Sequence, residues 1–279
     1  MHTRHLSFIA VLLLLMLPAA AARAELNVEK LSDTDITMVK GLIKTLEPLI
    51  LERDKRQDLA KLTFAELYAP LNAEQKTFLK QFEKLDAKAL GVKIPFRQIA
   101  TGKEELTTII RQKVKVRDHK KEGTTKDVRE LSPQFLPPNV YRQYKKMMAA
   151  MEKDIGRRLL VESGYRSSAY QLYLFVFYLK NHDYSIRETT RWVALPGYSE
   201  HGAPEFQAID FINTDGINGE DNPAEFEALA EYDWLVKNAG RFGFVLSYPK
   251  DAGQGITYEP WHWRFEANRA PMAQGKGEK

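Results

Sequence analysis

Helical and strand-like patterns alternate in an irregular order along the chain, and this order constrains the fold more than any other sequence feature. Apolar residues recur at three- and four-residue steps from residue 25 to about 100, and helices are also indicated at 140–155 and 222–240. Short runs rich in β-branched and aromatic residues stand among the later helices, namely "RRLLVES", "FQAIDFIN", "GFVLSY" and "WHWRF". The irregular mixture predicts an α+β fold and not a doubly wound parallel sheet.

The first 24 residues have the anatomy of a secretory signal. Arg4 precedes an apolar run at residues 6–17, and Ala22 and Ala24 supply an A-x-A pattern. We expect cleavage after Ala24 and a periplasmic or otherwise exported protein. The alternative is an uncleaved membrane anchor, but a bilayer span takes about 20 apolar residues. No later apolar run reaches that length, so we expect no membrane span in the mature chain.

The charge balance gives no reason to expect a nucleic-acid partner. Residues 1–24 carry Arg4 and Arg23 and no acidic residue, so their removal lowers the net charge from +4 to +2. The chain also contains no cysteine, which excludes disulfides and thiolate ligands. Any metal site must therefore use histidine, aspartate and glutamate.

Two separated stretches contain a candidate metal site. His201 and Asp210 lie in "GYSEHGAPEFQAIDF", and His262 lies in "EPWHWRF". A catalytic zinc takes three such ligands and lowers the pKa of its water to about 7. Glu259 is a candidate general base for that water. Because Pro260 argues against a helix, a turn must bring Glu259 and His262 into one cleft.

The residue types alone leave another interpretation open. His201 could be a loop histidine and Asp210 a turn cap, with "EPWHWRF" as an aromatic-rich core strand. Two further histidines are not expected to be ligands. His119 lies in the charged segment 117–127, which is typical of a solvated loop, and His182 lies at the polar end of an apolar helix.

Three motifs, in this order, resemble the zinc D-alanyl-D-alanine carboxypeptidases of the VanY type, in the LAS-type metallopeptidase group. They are "SGYRSSAYQ" at 163–171, "GYSEH" and "AIDF" at 197–201 and 208–211, and "EPWHWRF" at 259–265. The resemblance covers roughly residues 131–265. It implies a small antiparallel sheet flanked by helices, as in hedgehog and DD-peptidase domains. It also implies one zinc ion per chain and peptidoglycan stem peptides as substrates.

The resemblance implies roles for individual residues as well. Zinc would be bound by His201, Asp210 and His262. Glu259 would activate the zinc water and pass its proton to the leaving amine. Arg166 would stabilise the oxyanion or hold the substrate carboxylate, since a guanidinium presents fixed, charged donors. The implied substrate-binding residues are Ser199, Gln171 and Trp261.

The spacing between two of the ligands departs from the family pattern. Asp210 follows His201 by nine residues, two more than is usual in the family. The extra residues in "GAPEFQ" must bulge as a loop while Asp210 keeps its place on a strand. Glu205, inside that loop, is an alternative ligand.

We expect four segments and one main activity. The segments are a signal peptide (1–24), a helical N-terminal region (25–104), a zinc peptidase catalytic domain (105–270) and a flexible tail (271–279). The implied activity is removal of the terminal D-alanine from stem peptides. Two alternatives stay open, a zinc endopeptidase that cuts within stem peptides or cross-links, and a non-catalytic cell-wall binding module.

Overall fold

The computed structural model covers both the predicted N-terminal region and the motif-bearing part of the chain. The residues it describes are 25–92, 98–117, 124–203, 205–250 and 257–266. The predicted signal peptide, the predicted tail and His119 lie outside the described residues. Within them, every helix is too short or too polar to cross a bilayer.

Eight α-helices form within the described residues. They are α1 (Asp33–Lys55), α2 (Phe64–Tyr68), α3 (Ala73–Glu83), α4 (Pro138–Ile155), α5 (Ser168–Tyr178), α6 (Ile186–Thr189), α7 (Pro223–Glu227) and α8 (Ala230–Asn238). Capping explains several of their starts. Ser32 caps α1, and Asn72 forms a reciprocal capping box with Gln75 at the start of α3. Short 3-10 turns cover Leu59–Lys61, Leu179–His182, Glu200–Gly202 and Ala239–Phe242.

The strands form one four-stranded sheet and two small ribbons, all antiparallel. They are β1 (Thr107–Ile109), β2 (Lys113–Arg117), β3 (Thr124–Glu130), β4 (Gln134–Leu136), β5 (Leu159–Ser163), β6 (Ala208–Asn213), β7 (Phe244–Leu246) and β8 (His262–Phe265). The large sheet has the order β5-β6-β8-β7, and the ribbons pair β1 with β4 and β2 with β3. The α+β prediction, with a small antiparallel sheet flanked by helices, is confirmed.

Two local predictions were wrong. The helix expected at 222–240 breaks into α7 and α8, because Leu229 is extended and packs against the core, so packing overrides helix propensity there. The segment 117–127 is not all loop, because Arg117 pairs with Thr124 across β2 and β3. Charged side chains are compatible with such exposed strands.

The N-terminal helices share a hydrophobic core with α5. Leu42, Leu46, Phe78 and Phe82 are buried in one cluster with Phe175 and other apolar residues of α5. A helix that is apolar all round must be covered on all sides, which explains the sequence "SAYQLYLFVFY" of α5. Each such side chain contributes roughly 1.5–3 kcal/mol on burial. The region before residue 93 and α5 therefore stabilise each other.

A second cluster joins the large sheet to α4 and α8. Its α4 members include Met147, Met148 and Met151, which are all buried. Phe211 of β6 and Trp263 of β8 lie in the same cluster. The strands that carry the candidate ligands are thus anchored on their inner faces, which limits the movement of those ligands.

Candidate active site

Strand pairing places two of the candidate ligands opposite each other. Asp210 on β6 is the register partner of His262 on β8. His201 comes from the 3-10 turn Glu200–Gly202, which precedes β6. All the extra residues between His201 and Asp210 lie before β6 begins at Ala208, so Asp210 keeps its strand position.

The three candidate ligands converge on one point. His201 Nε2 lies 3.1 Å from Asp210 Oδ2, and His262 Nδ1 lies 2.8 Å from Asp210 Oδ1. One ligand atom from each residue lies within 4.8 Å of the other two. Both histidines are buried. Glu205 is exposed and does not belong to this cluster.

The second nitrogen of each histidine is also engaged. His201 Nδ1 lies 2.7 Å from the carbonyl oxygen of Gly164, so the Nδ1–H donates and Nε2 is left to face Asp210. His262 Nε2 lies 3.0 Å from Glu200 Oε2. Such partners fix the ring orientation and the tautomer of metal-binding histidines. Two imidazoles and one carboxylate, oriented in this way, fit a zinc ion with an open position.

Glu200 is a site residue that the sequence analysis missed. It is buried, it accepts a hydrogen bond from His262, and its other oxygen lies 3.7 Å from Arg264 Nη1. A carboxylate next to a candidate ligand histidine in the sequence could have indicated such a role, because ligand histidines are commonly hydrogen-bonded to a carboxylate. The partner that Glu200 supports is His262, which the sequence order does not reveal.

The charges in the cluster shift the pKa values of its members. Burial lowers the pKa of His201, and the charge of Asp210 opposes this only in part. Burial also disfavours charge on His262, but Asp210 and Glu200 outweigh it and raise its pKa to about 10. The two histidines hold the pKa of Asp210 far below its usual range despite burial. Metal binding at His262 Nδ1 would displace a proton, so metal affinity would fall with falling pH.

A turn brings Glu259 to the ligands, as the sequence hypothesis required. The amide of His262 donates to the carbonyl oxygen of Glu259 at 3.1 Å, which closes the turn through Pro260. Glu259 Oε2 lies 3.8 Å from His262 Nδ1. Burial and the negative charge of Asp210 raise the pKa of Glu259 to about 7, although His262 acts in the opposite direction. A neighbouring divalent cation would lower this pKa, since it favours the carboxylate.

Arg166 lies on the turn between β5 and α5. Its Nη1 donates to Gln171 Oε1 at 3.0 Å and its Nη2 to Ser163 Oγ at 3.3 Å. Gln171 is buried and also donates to the carbonyl oxygen of Ala194 at 2.7 Å. The Gln171 amide therefore holds Arg166 in place, and substrate binding by Gln171 stays a prediction.

The two remaining candidates lie beside the ligands in the chain. Ser199 is buried directly before the turn that carries His201. Trp261 is half-buried and packs so closely on Gly219 that a Cβ added there would lie 2.2 Å from the ring. Their contact with substrate stays a prediction.

Known proteins resemble the second half of this chain. A family model described as VanY, D-alanyl-D-alanine carboxypeptidase, matches residues 133–268. VanXYC of Enterococcus gallinarum, a bifunctional D-Ala-D-Ala dipeptidase and D-Ala-D-Ala carboxypeptidase, is 34% identical over 139 residues, which are 47% of this chain and 67% of that protein. The chain belongs to the VanY family. The resemblance predicted from the three motifs is thereby confirmed.

Other relatives are covered to different extents. A D-alanyl-D-alanine carboxypeptidase of Enterococcus faecalis is 42% identical over 80 residues, which are 28% of this chain and 26% of that protein. A solved structure of the vancomycin resistance D,D-pentapeptidase VanY in complex with Zn(II) has 26% identity and a TM-score of 0.38, and the match covers 47% of this chain and 73% of that one. The present chain therefore matches only part of the length of these curated relatives. Its residues 25–132 lie outside the family match.

Proposed function

We propose that this VanY-family protein is a zinc-dependent D-alanyl-D-alanine carboxypeptidase that removes the terminal D-alanine from peptidoglycan stem peptides. The observation that carries the proposal is the convergence of His201, Asp210 and His262 beside Glu259. The activities in the names of its relatives support the substrate class. Zinc held by the three ligands would supply Lewis acidity, which polarises a carbonyl and activates water near neutral pH.

Glu259 would move the proton in this reaction. Its carboxylate takes a proton from the attacking water as the water oxygen bonds to the carbonyl carbon of the peptide. It then gives the proton to the amine nitrogen as the carbon–nitrogen bond breaks, which releases D-alanine. The same carboxyl group thus acts first as the general base and then as the general acid.

Arg166 would bind the negative charge of the substrate or of the reaction. Its guanidinium is held by Gln171 and Ser163. The planar guanidinium group presents several N–H donors in a fixed geometry. It could donate to the oxyanion that forms on the carbonyl oxygen or to the free carboxylate of the terminal residue. Loss of the oxyanion contact would lower kcat, whereas loss of the carboxylate contact would mainly raise KM.

We also propose that the protein acts outside the cytoplasm, in the periplasm or at another exported location. The peptidoglycan substrate class and the signal-like residues 1–24 support this location. Among the residues that the structure describes, one three-ligand cluster supports a stoichiometry of one zinc ion per chain.

Mass spectrometry of stem peptides incubated with the protein tests the proposal. We expect loss of one terminal alanine from a pentapeptide ending in D-Ala-D-Ala, and no product after treatment with a chelator. Glu259→Gln should lower kcat at least about 100-fold while zinc still binds. Glu205→Gln, an exposed change outside the cluster, should alter neither zinc binding nor rate.

Other products would contradict the proposal in distinct ways. Chelator-sensitive cleavage inside the stem or at a cross-link would establish the endopeptidase instead. Binding of stem peptides without any cleavage by the zinc-loaded protein would establish the binding module.

A further inference from the structure

The turn that carries Arg166 is held by backbone groups of the N-terminal region. The amide of Ser167 donates to the carbonyl oxygen of Ala60 at 2.8 Å, and Ser167 Oγ donates to that of Leu62 at 2.5 Å. Ser167 is fully buried and also caps α5. The 3-10 turn Leu59–Lys61 and the residue after it therefore fix the backbone next to Arg166.

A second N-terminal stretch, residues 98–104, bonds to the same turn at Ser168 and at Tyr165. The amide of Ser168 donates to the carbonyl oxygen of Ala100 at 2.9 Å, and the amide of Ala100 donates to Ser168 Oγ at 3.0 Å. Tyr165 OH accepts from the amide of Gly102 at 3.0 Å and donates to the carboxylate of Glu104. Tyr165 is buried, so its hydroxyl needs these partners.

The same stretch also reaches the loop that carries His201. The amide of Gln98 donates to the carbonyl oxygen of Gly197 at 2.9 Å. The amide of Arg166 donates to the carbonyl oxygen of His201 at 3.0 Å. A Cβ at Gly202 would lie 2.8 Å from the carbonyl oxygen of Arg166, so the two backbones touch. A shift of the Arg166 turn would therefore be transmitted to the His201 loop.

We propose that residues 59–62 and 98–104, which we call the support segments, position Arg166 and His201 for the reaction. Both segments lie outside the part of the chain that matches the VanY family. Glu104 is a positioning residue in this arrangement, because its carboxylate orients Tyr165, the neighbour of Arg166. The inference rests on the proposed function, in which Arg166 contacts the substrate. A misplacement of about 1 Å in such a site can cost about 100-fold in rate.

Glu104→Ala tests the support segments, with Glu105→Ala as its matched control. Both changes remove a carboxylate from adjacent positions, but Glu105 is exposed. We expect Glu104→Ala to lower kcat/KM about tenfold, within the range for misplaced catalytic groups, and Glu105→Ala to leave it unchanged. Tyr165→Phe, which keeps the ring, should act in the same direction, and Glu104→Gln, which keeps an acceptor oxygen, should restore part of the loss.

A double mutant separates positioning from general destabilisation. If Glu104 acts through Arg166, the effect of Glu104→Ala on kcat/KM should largely vanish in an Arg166→Ala background. Additive losses in the double mutant would overturn the inference, as would equal activities of Glu104→Ala and Glu105→Ala. Activity at a temperature well below the unfolding transition is the quantity to compare.

Hydrogen exchange gives a measurement that does not depend on activity. Glu104→Ala should increase amide exchange in the peptide covering 163–171, and Glu105→Ala should not. If the wild-type protein cleaves no D-Ala-D-Ala substrate but this exchange increases, the proposed function fails while the support stands. If exchange in that peptide is unchanged, the support segments do not hold the turn and the inference fails.

Discussion

Substitution of Glu162 by glutamine tests the electrostatics at the edge of the sheet next to the candidate ligands. Glu162 lies on β5, is half-buried, and accepts a hydrogen bond from Asn218 Nδ2 at 3.0 Å. Burial raises the pKa of Glu162 to about 7, with smaller contributions from the negative charges of Asp210 and Glu220. The Asn218 bond opposes this rise. Substitution by glutamine keeps the shape and the acceptor oxygen but removes the charge.

The direction of the pKa shift of Glu162 determines how the free energy of unfolding changes with pH. The unfolded chain releases this proton near the ordinary pKa of 4.5, whereas the folded chain holds it until about pH 7. The free energy of unfolding therefore falls as pH rises from 4.5 to 7, and the full cost is present above 7. A shift of this size corresponds to about 3 kcal/mol at 1.36 kcal/mol per pKa unit. Solvent screening at a half-buried side chain reduces it to roughly 1–2 kcal/mol.

Urea unfolding at several pH values measures the effect. With a chelator present, Glu162→Gln should raise the free energy of unfolding by about 1–2 kcal/mol at pH 8 and by almost nothing at pH 4.5. Glu152→Gln, on the exposed face of α4, is the matched control and should show no such pH-dependent gain. A stabilisation that is equal at both pH values would refute the reasoning, as would destabilisation at pH 8.

Three further substitutions test other features. Glu200→Gln should raise the zinc dissociation constant about tenfold, when that constant is extrapolated to high pH where no proton competes. Titration against a competing chelator measures the constant. Glu266→Gln, which also removes a partner of Arg264, should leave it unchanged. Leu46→Ala should cost about 2–5 kcal/mol yet leave one thermal transition, because the N-terminal helices share a core with α5; a separate early transition would contradict this. Gly219→Ala should displace the Trp261 ring and raise KM with unchanged zinc affinity, whereas an unchanged KM would remove Trp261 from the substrate pocket.

The sequence was informative where function depends on short motifs. "SEH", "AID" and "EPWH" indicated the candidate ligands and Glu259, because these residue types carry metal-binding and acid–base chemistry, and the structure brings these residues together. The hydrophobic patterns also predicted α4, α5 and the strand β6. The turn through Pro260 followed from one requirement, that Glu259 and His262 share a cleft, and the structure contains that turn.

Contacts between distant residues could not be read from the sequence. Glu200 supports His262 across 62 positions, and Ser167 Oγ bonds to Leu62 across 105. Such pairs arise from tertiary packing and leave no local pattern. The short strands β2 and β3 were missed for a related reason, since their charged residues carry a weak strand signal and their pairing decides their conformation.

The pairing of Asp210 with His262 means that insertions within the strands and insertions between His201 and β6 have different consequences. A strand register admits no single-residue slip, since each slip turns the side chains to the opposite face. Glu205 and Phe206 lie outside this register, because they come after the turn that carries His201 and before β6. Chain length there can vary while the ligand geometry stays fixed. Such a loop is where homologous enzymes could acquire different substrate preferences without rebuilding their chemistry, and where a designer could insert residues first.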